Sequence, residues 1–200
     1  MKFYDDVKHL LDKRKDGFDI IFDYLKKIEN PLIVETGCAR EEENYLDGQS
    51  SLLFDKYIHE YGGEFYTVDI AQQSVNFCKN KMISLNSHVT MGDSIEYLKQ
   101  LNQDFQNQNK KIDFLYLDSY DAPRDDPRVV FESSLHHFYE FTCILRSLKP
   151  GALLAVDDNW IEQKDEQYVI GGKGQMIFEY MMKTGNPPIH TGYQFMWTIQ

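Results

Sequence analysis

Six acidic residues stand where apolar runs of the chain end. Glu35 follows Leu32-Ile33-Val34, Asp69 closes Phe65-Tyr66-Thr67-Val68, and Asp93 lies just past Val89-Thr90-Met91. Asp118 closes Phe114-Leu115-Tyr116-Leu117, and the pair Asp157-Asp158 closes Leu153-Leu154-Ala155-Val156. A carboxylate at the end of a second strand can accept both hydroxyls of a ribose. A single acid at such a place is equally an ordinary cap, and Asp93-Ser94-Ile95-Glu96 reads as a capping-box variant. Asp157-Asp158 fits a solvated turn plus a cap just as well.

The spacing of apolar residues supplies the elements that would gather these acids. Phe18, Ile21, Phe22, Leu25 and Ile28 mark one face of a helix over 16–28, ended by Asn30-Pro31. Strands are expected at 32–34, 64–69, 87–91, 112–118 and 152–157. Helices are expected near 50–61, 72–83, 93–101, 128–148 and 175–183, and the aromatic ending 189–199 is β-prone. In the long helix, Phe131, Leu135, Phe138, Thr142, Leu145 and Leu148 form the expected buried stripe. Alternation of this kind predicts a single α/β domain with a doubly wound, mostly parallel sheet and helices on both faces, Rossmann-like, with ligands at the carboxyl ends of the strands. Residues 1–30 read as a helical segment packed on a core of 31–200.

Composition narrows the partners. The 200 residues carry 21 Lys+Arg against 32 Asp+Glu, a net charge of -11, which opposes nucleic acid and anionic membrane surfaces. Cys38, Cys78 and Cys143 form no CxxC pair, so a reducing, cytoplasmic setting is expected. The amino terminus lacks an apolar signal region, and no apolar run approaches the length of a membrane span.

Two adenosine-bearing cofactors compete for the glycine turn and the acids. A nicotinamide dinucleotide needs G-x-G-x-x-G opening directly into a helix, so that amides meet the pyrophosphate. Glu35-Thr36-Gly37-Cys38-Ala39-Arg40 offers only Gly37, and Glu41-Glu42-Glu43 would repel phosphate. S-adenosylmethionine carries an ammonium and a sulfonium and no phosphate, so an acidic pocket attracts it.

With these residues in order, the chain resembles the class I S-adenosylmethionine-dependent methyltransferases. The resemblance rests on Val34 to Arg40, Thr67-Val68-Asp69, Met91-Gly92-Asp93-Ser94, Phe114 to Asp118 and Leu148 to Asp158, and covers roughly 31–159. It implies that Gly37 passes the methionine part of the cofactor, Glu35 lies near its ammonium, Asp69 holds the ribose, and Asp93 with Ser94 borders the adenine. The first motif lacks the second and third glycines of the family, and 47–51 is the candidate for the returning turn. Asp118, Asp157 and Asp158 resemble the divalent-metal site of the metal-dependent sugar and macrolide O-methyltransferases. That likeness implies Mg²⁺ binding two neighbouring hydroxyls of a small-molecule acceptor, with Asp118 or a metal-bound water accepting the proton.

Other features weigh less. His136-His137 are adjacent on a helix and are expected to point apart without sharing a site. Gly48 to Leu52 is not a G-x-S-x-G elbow. Gly171-Gly172-Lys173-Gly174 reads as a mobile loop or helix start from which Lys173 could reach a substrate. Tyr120 or Asp121 is expected to line an acceptor pocket, completed by the amino-terminal helices or by a neighbouring subunit of a homo-oligomer. A NAD-dependent oxidoreductase, a noncatalytic cofactor-binding module and a hydroxylase on the same fold remain as alternatives.

Overall fold

The computed structural model describes residues 1–46, 49–121 and 123–200. In chain order its main elements are α1 (Lys2–Val7), α2 (Lys15–Leu25), β1 (Leu32–Thr36), α3 (Ser50–Tyr61), β2 (Glu64–Asp69), α4 (Gln72–Lys81), β3 (Ser87–Met91), α5 (Ser94–Asn107), β4 (Ile112–Leu117), α6 (Pro127–Ile144), β5 (Leu148–Val156), β6 (Asn159–Lys164), β7 (Gln167–Gly172), α7 (Gln175–Lys183), β8 (His190–Thr191) and β9 (Phe195–Thr198). A seven-stranded sheet runs in the order β3-β2-β1-β4-β5-β9-β8, and β6-β7 form a separate hairpin. The five strands from β3 to β5 are parallel, while β9 is antiparallel to both β5 and β8.

Both faces of the central strands are apolar, as a parallel sheet covered on two sides requires. Alternate residues serve alternate faces. Ile33, Phe65, Phe114, Tyr116, Leu153 and Ala155 pack with Phe18 and Phe22 of α2 and Phe54 of α3. Val34, Leu115, Leu117, Leu154 and Val156 pack with α5, α6 and α7. The strand order reverses between β1 and β4, which places the topological switch point beside Gly37 and Asp118.

Three expectations change. α5 continues to Asn107 because Phe105 extends the buried stripe of Leu98 and Leu101, so the Asn- and Gln-rich stretch is helical. In α6 the expected stripe is not the buried one: Phe131 is 54% exposed, while Ser133, Ser134, His137 and Glu140 are buried with Val130, Phe141 and Ile144. The helix is turned so that its polar residues meet the strand ends. The hairpin β6-β7 was not expected, because its two-residue turn uses Asp165 and Glu166, both at positive φ, where Asn-Gly is the usual signal. Among the described residues, no helix is long and apolar enough to cross a membrane.

Candidate functional site

β1 delivers Glu35 and then Gly37 to the sheet edge. Gly37 has φ +87, and a Cβ there would lie 2.4 Å from the carbonyl oxygen of Asp118, so only glycine lets the β1 and β4 exits touch. Glu35 does not reach open space. Its side chain is fully buried, and its Oε2 accepts from Ser51 Oγ at 2.6 Å and Thr67 Oγ1 at 2.7 Å. Burial pushes its pKa up to about 7, against the pull of the Ser51, Ser50 and Thr67 hydroxyls. Ser51 Oγ also accepts from the Ala39 amide at 3.0 Å, which turns the loop after Gly37 back onto α3. Asp47 and Gly48, assigned to that turn, lie outside the described residues.

Asp69 ends β2. Its two oxygens accept from the Cys38 and Ala71 amides at 2.8 and 2.7 Å, tying the β1 and β2 loops together at the sheet edge. Asp93 caps α5 by accepting from the Glu96 amide at 3.0 Å. Gly37, Asp69, Asp93, Ser94, Tyr120 and His136 line a cavity of about 330 Å³. Ile70, 76% exposed, adds apolar surface at its wall.

The polar face of α6 closes this cavity from behind. His136 Nε2 lies 2.9 Å from Ser94 Oγ and 3.2 Å from Glu140 Oε1. Glu140 is buried and also accepts from Thr36 Oγ1 at 3.1 Å and Ser119 Oγ at 2.7 Å. Burial opposes its charge, but His137, His136 and the hydroxyls hold its pKa down at about 2. The expectation that the histidines share nothing is therefore corrected: Glu140 gathers both, His137 Nε2 lying 3.9 Å from its Oε2. His136 faces the cavity, whereas His137 is buried, with burial pushing its pKa down to about 4. The signal present in the sequence was the i, i+4 spacing of His136 and Glu140.

At the β4 and β5 exits the three aspartates do come together. Asp118, Asp157 and Asp158 each offer an oxygen within 4.8 Å of the others. Two cations stand among them. Arg14 Nε donates to Asp157 Oδ2 at 2.6 Å and its Nη2 to Asp158 Oδ1 at 3.2 Å. Lys173 Nζ donates to Asp118 Oδ1 at 2.5 Å and lies 2.8 Å from Asp158 Oδ2. Tyr193 donates its hydroxyl to Asp158 as well. Lys173 is thus buried in the cluster, in the turn that opens α7, which matches the helix-start alternative and not the mobile loop. Burial raises the pKa of Asp118 well above the aspartate range against the pull of Lys173, whereas Asp158, also penalised by burial, is held at about 2 by Lys173.

Asp157 Oδ1 is buried without a hydrogen-bond partner among the described residues. An orphaned carboxylate oxygen within a set of three hard donors fits a divalent cation such as Mg²⁺.

The spaces connect. Gly37 borders both the first cavity and a narrow cleft that also touches Asp118, Asp121 and Asp158. Asp121 and Asp158 in turn border an open groove of about 500 Å³ with Arg124, Trp160 and Tyr193. Tyr120 lines the first cavity, whereas Asp121 lines both the cleft and the groove.

No family model and no curated protein matches this chain. Among solved structures it is similar to the MycE methyltransferase of the mycinamycin biosynthetic pathway, in a complex with Mg and SAH, with a TM-score of 0.60 and 14% identity. That match covers 92% of this chain and 49% of the other, so the chain spans about half the length of this neighbour. A doubly substituted short-chain dehydrogenase/reductase from Serratia marcescens matches with a TM-score of 0.50 and 10% identity over 78% of this chain and 69% of that one. A TehB-like SAM-dependent methyltransferase from Corynebacterium glutamicum matches with a TM-score of 0.47 and 12% identity, over 86% and 82%. The MycE likeness bears on the fold alone, a Rossmann-like sheet that this chain shares with that methyltransferase.

Proposed function

We propose that the protein is an S-adenosylmethionine-dependent methyltransferase acting on a hydroxyl of a small molecule, with divalent-metal assistance at Asp118, Asp157 and Asp158. One observation carries this reading: Gly37 borders both the cavity at Asp69 and the cleft at Asp118 and Asp158, and Asp121 and Asp158 border both that cleft and an outer groove. A cofactor and an acceptor can therefore meet across Gly37.

The geometry supports the following roles. Asp69 accepts from ribose hydroxyls with its remaining lone pairs, while its two backbone hydrogen bonds fix its direction. Asp93, Ser94 and His136 border the base. Gly37 leaves room for the methionine portion. Glu35 supports the Gly37 loop from beneath through Ser51 and Thr67, a role indirect to the ammonium. Trp160 and Tyr193 give the acceptor groove apolar faces. Asp118, which lines the cleft at the β4 exit, is placed to take the acceptor proton. Asp118, Asp157 and Asp158 would hold a divalent ion, which would supply Lewis acidity toward an acceptor hydroxyl. Most of the rate then comes from alignment.

The short-chain dehydrogenase likeness keeps the oxidoreductase reading in view. Against it, α3 begins only at Ser50, so no helix N-terminus directly follows Gly37 to receive a pyrophosphate. Transfer of labelled methyl from S-adenosylmethionine to a panel of small polyols and phenols, with Mg²⁺ and with EDTA, tests the proposal. Transfer lost in EDTA and in Asp157→Asn supports it; transfer intact in both removes the metal. No transfer to any acceptor, with hydride transfer from NADH instead, removes the methyltransferase reading.

A further inference from the structure

Lys173 is fully buried, and the backbone around it is shaped to put it there. Gly172 has φ +102, and a Cβ there would lie 2.2 Å from the Asp158 carbonyl oxygen. The Gly174 amide donates to Asn159 Oδ1 at 2.6 Å, and a Cβ at 174 would stand 2.8 Å from the same oxygen. The Gly-Lys-Gly segment is thus pinned against Asp158-Asn159, with the lysine aimed into the carboxylate cluster. Lys173 takes Asp118 Oδ1 and Asp158 Oδ2, and Arg14 takes Asp157 Oδ2 and Asp158 Oδ1. Asp157 Oδ1 is the oxygen of Asp157 and Asp158 that neither cation satisfies.

The Lys173 ammonium engages Asp118 and Asp158, two of the three carboxylates that would hold a divalent ion. Two cations so close in a buried site repel strongly. We propose that Lys173 is an internal competitor for the divalent ion: metal enters the cluster by displacing the Lys173 ammonium from Asp118 and Asp158, and Lys173 thereby sets the metal affinity of the site. Asp157 Oδ1 is the donor kept open for the incoming ion. This inference rests on the metal reading above and goes beyond it by assigning the residue that opposes binding.

Two measurements on the full chain test it. Calorimetric titration of Mn²⁺ into the wild type and Lys173→Met gives at least tenfold tighter binding to the variant; binding confined to the variant is the extreme form of the same result. Amine labelling of the wild type, read by mass spectrometry, needs no variant: Lys173 is protected in EDTA and at least fivefold more labelled in Mn²⁺-saturated protein. Equal affinities, or a Lys173 that stays protected with metal bound, overturn the displacement and leave the metal reading standing. Absence of Mn²⁺ binding to both folded proteins removes the metal reading and the competition together. If Lys173→Met does not fold, the labelling of the wild type decides.

Discussion

Arg14 Nε donates to Asp157 Oδ2 at 2.6 Å, and both side chains are buried. The contact joins the segment before α2 to the end of β5, so the amino-terminal helices form part of the carboxylate site. Burial opposes the charge of Arg14, and Asp157 leads the acids that hold its pKa above the ordinary arginine value.

Removing one partner of a buried ion pair leaves the other charge uncompensated. Arg14→Met is expected to cost about 3–5 kcal/mol of folding stability, measured by urea denaturation at pH 7. A cost under about 1 kcal/mol would mean that the pair contributes no net attraction.

Glu35 carries a pH dependence of opposite sign to that of most carboxylates. Its folded pKa of about 7 lies above the ordinary 4.5, so the folded state holds a proton that the unfolded state releases. The stability tied to that proton is fully present below about pH 4.5 and is lost as pH rises through about 7. Relative to Glu35→Gln, wild-type stability is expected to fall by about 2–3 kcal/mol between about pH 5 and pH 8. A difference that stays flat over that range contradicts the raised pKa.

Glu140 works the other way. Its pKa of about 2 lies below 4.5, so its contribution is present above about pH 4.5 and is lost as pH falls through about 2. Stability relative to Glu140→Gln is expected to shrink by about 2 kcal/mol between about pH 5 and pH 3. Thermal melts of the two proteins across that range read it, and an unchanged gap would show that the buried carboxylate is not held ionised.

Gly37→Ala places a Cβ 2.4 Å from the Asp118 carbonyl oxygen at φ +87. Clash and left-handed backbone together are expected to cost about 2–4 kcal/mol, and cofactor binding should weaken because the cavity and the cleft share this residue. Denaturation midpoints and S-adenosylhomocysteine affinity, compared with wild type, check both effects. A variant of wild-type stability and affinity would show that the β1 and β4 exits need not touch.

The sheet was legible because its strands are short apolar runs ended by acids: β2 and β3 stand where 64–69 and 87–91 were expected. The meeting of Asp118 with Asp157-Asp158 was legible as well, since adjacent parallel strands bring their ends to one edge. Burial direction was harder. α6 buries Ser133, His137 and Glu140 while Phe131 faces solvent: Glu140 accepts from the Thr36 and Ser119 hydroxyls, Ser133 donates to the Tyr120 carbonyl, and His137 Nδ1 bonds the Ser133 carbonyl. A hydrophobic stripe cannot register such a face. The pairing of Lys173 and of Arg14 with the aspartates was hidden for a related reason: it spans 55 and 143 residues, which no local spacing encodes.

The central claim is that the cavity at Asp69 takes an adenosine-bearing, phosphate-free cofactor. Calorimetric titration of S-adenosylhomocysteine and of NAD⁺ into wild type and Asp69→Ala tests it most directly. The account predicts saturable S-adenosylhomocysteine binding to wild type, weakened at least about tenfold in Asp69→Ala by loss of the carboxylate hydrogen bonds, and no NAD⁺ binding to either. Binding of NAD⁺ without S-adenosylhomocysteine, or S-adenosylhomocysteine affinity unchanged by Asp69→Ala, would contradict it.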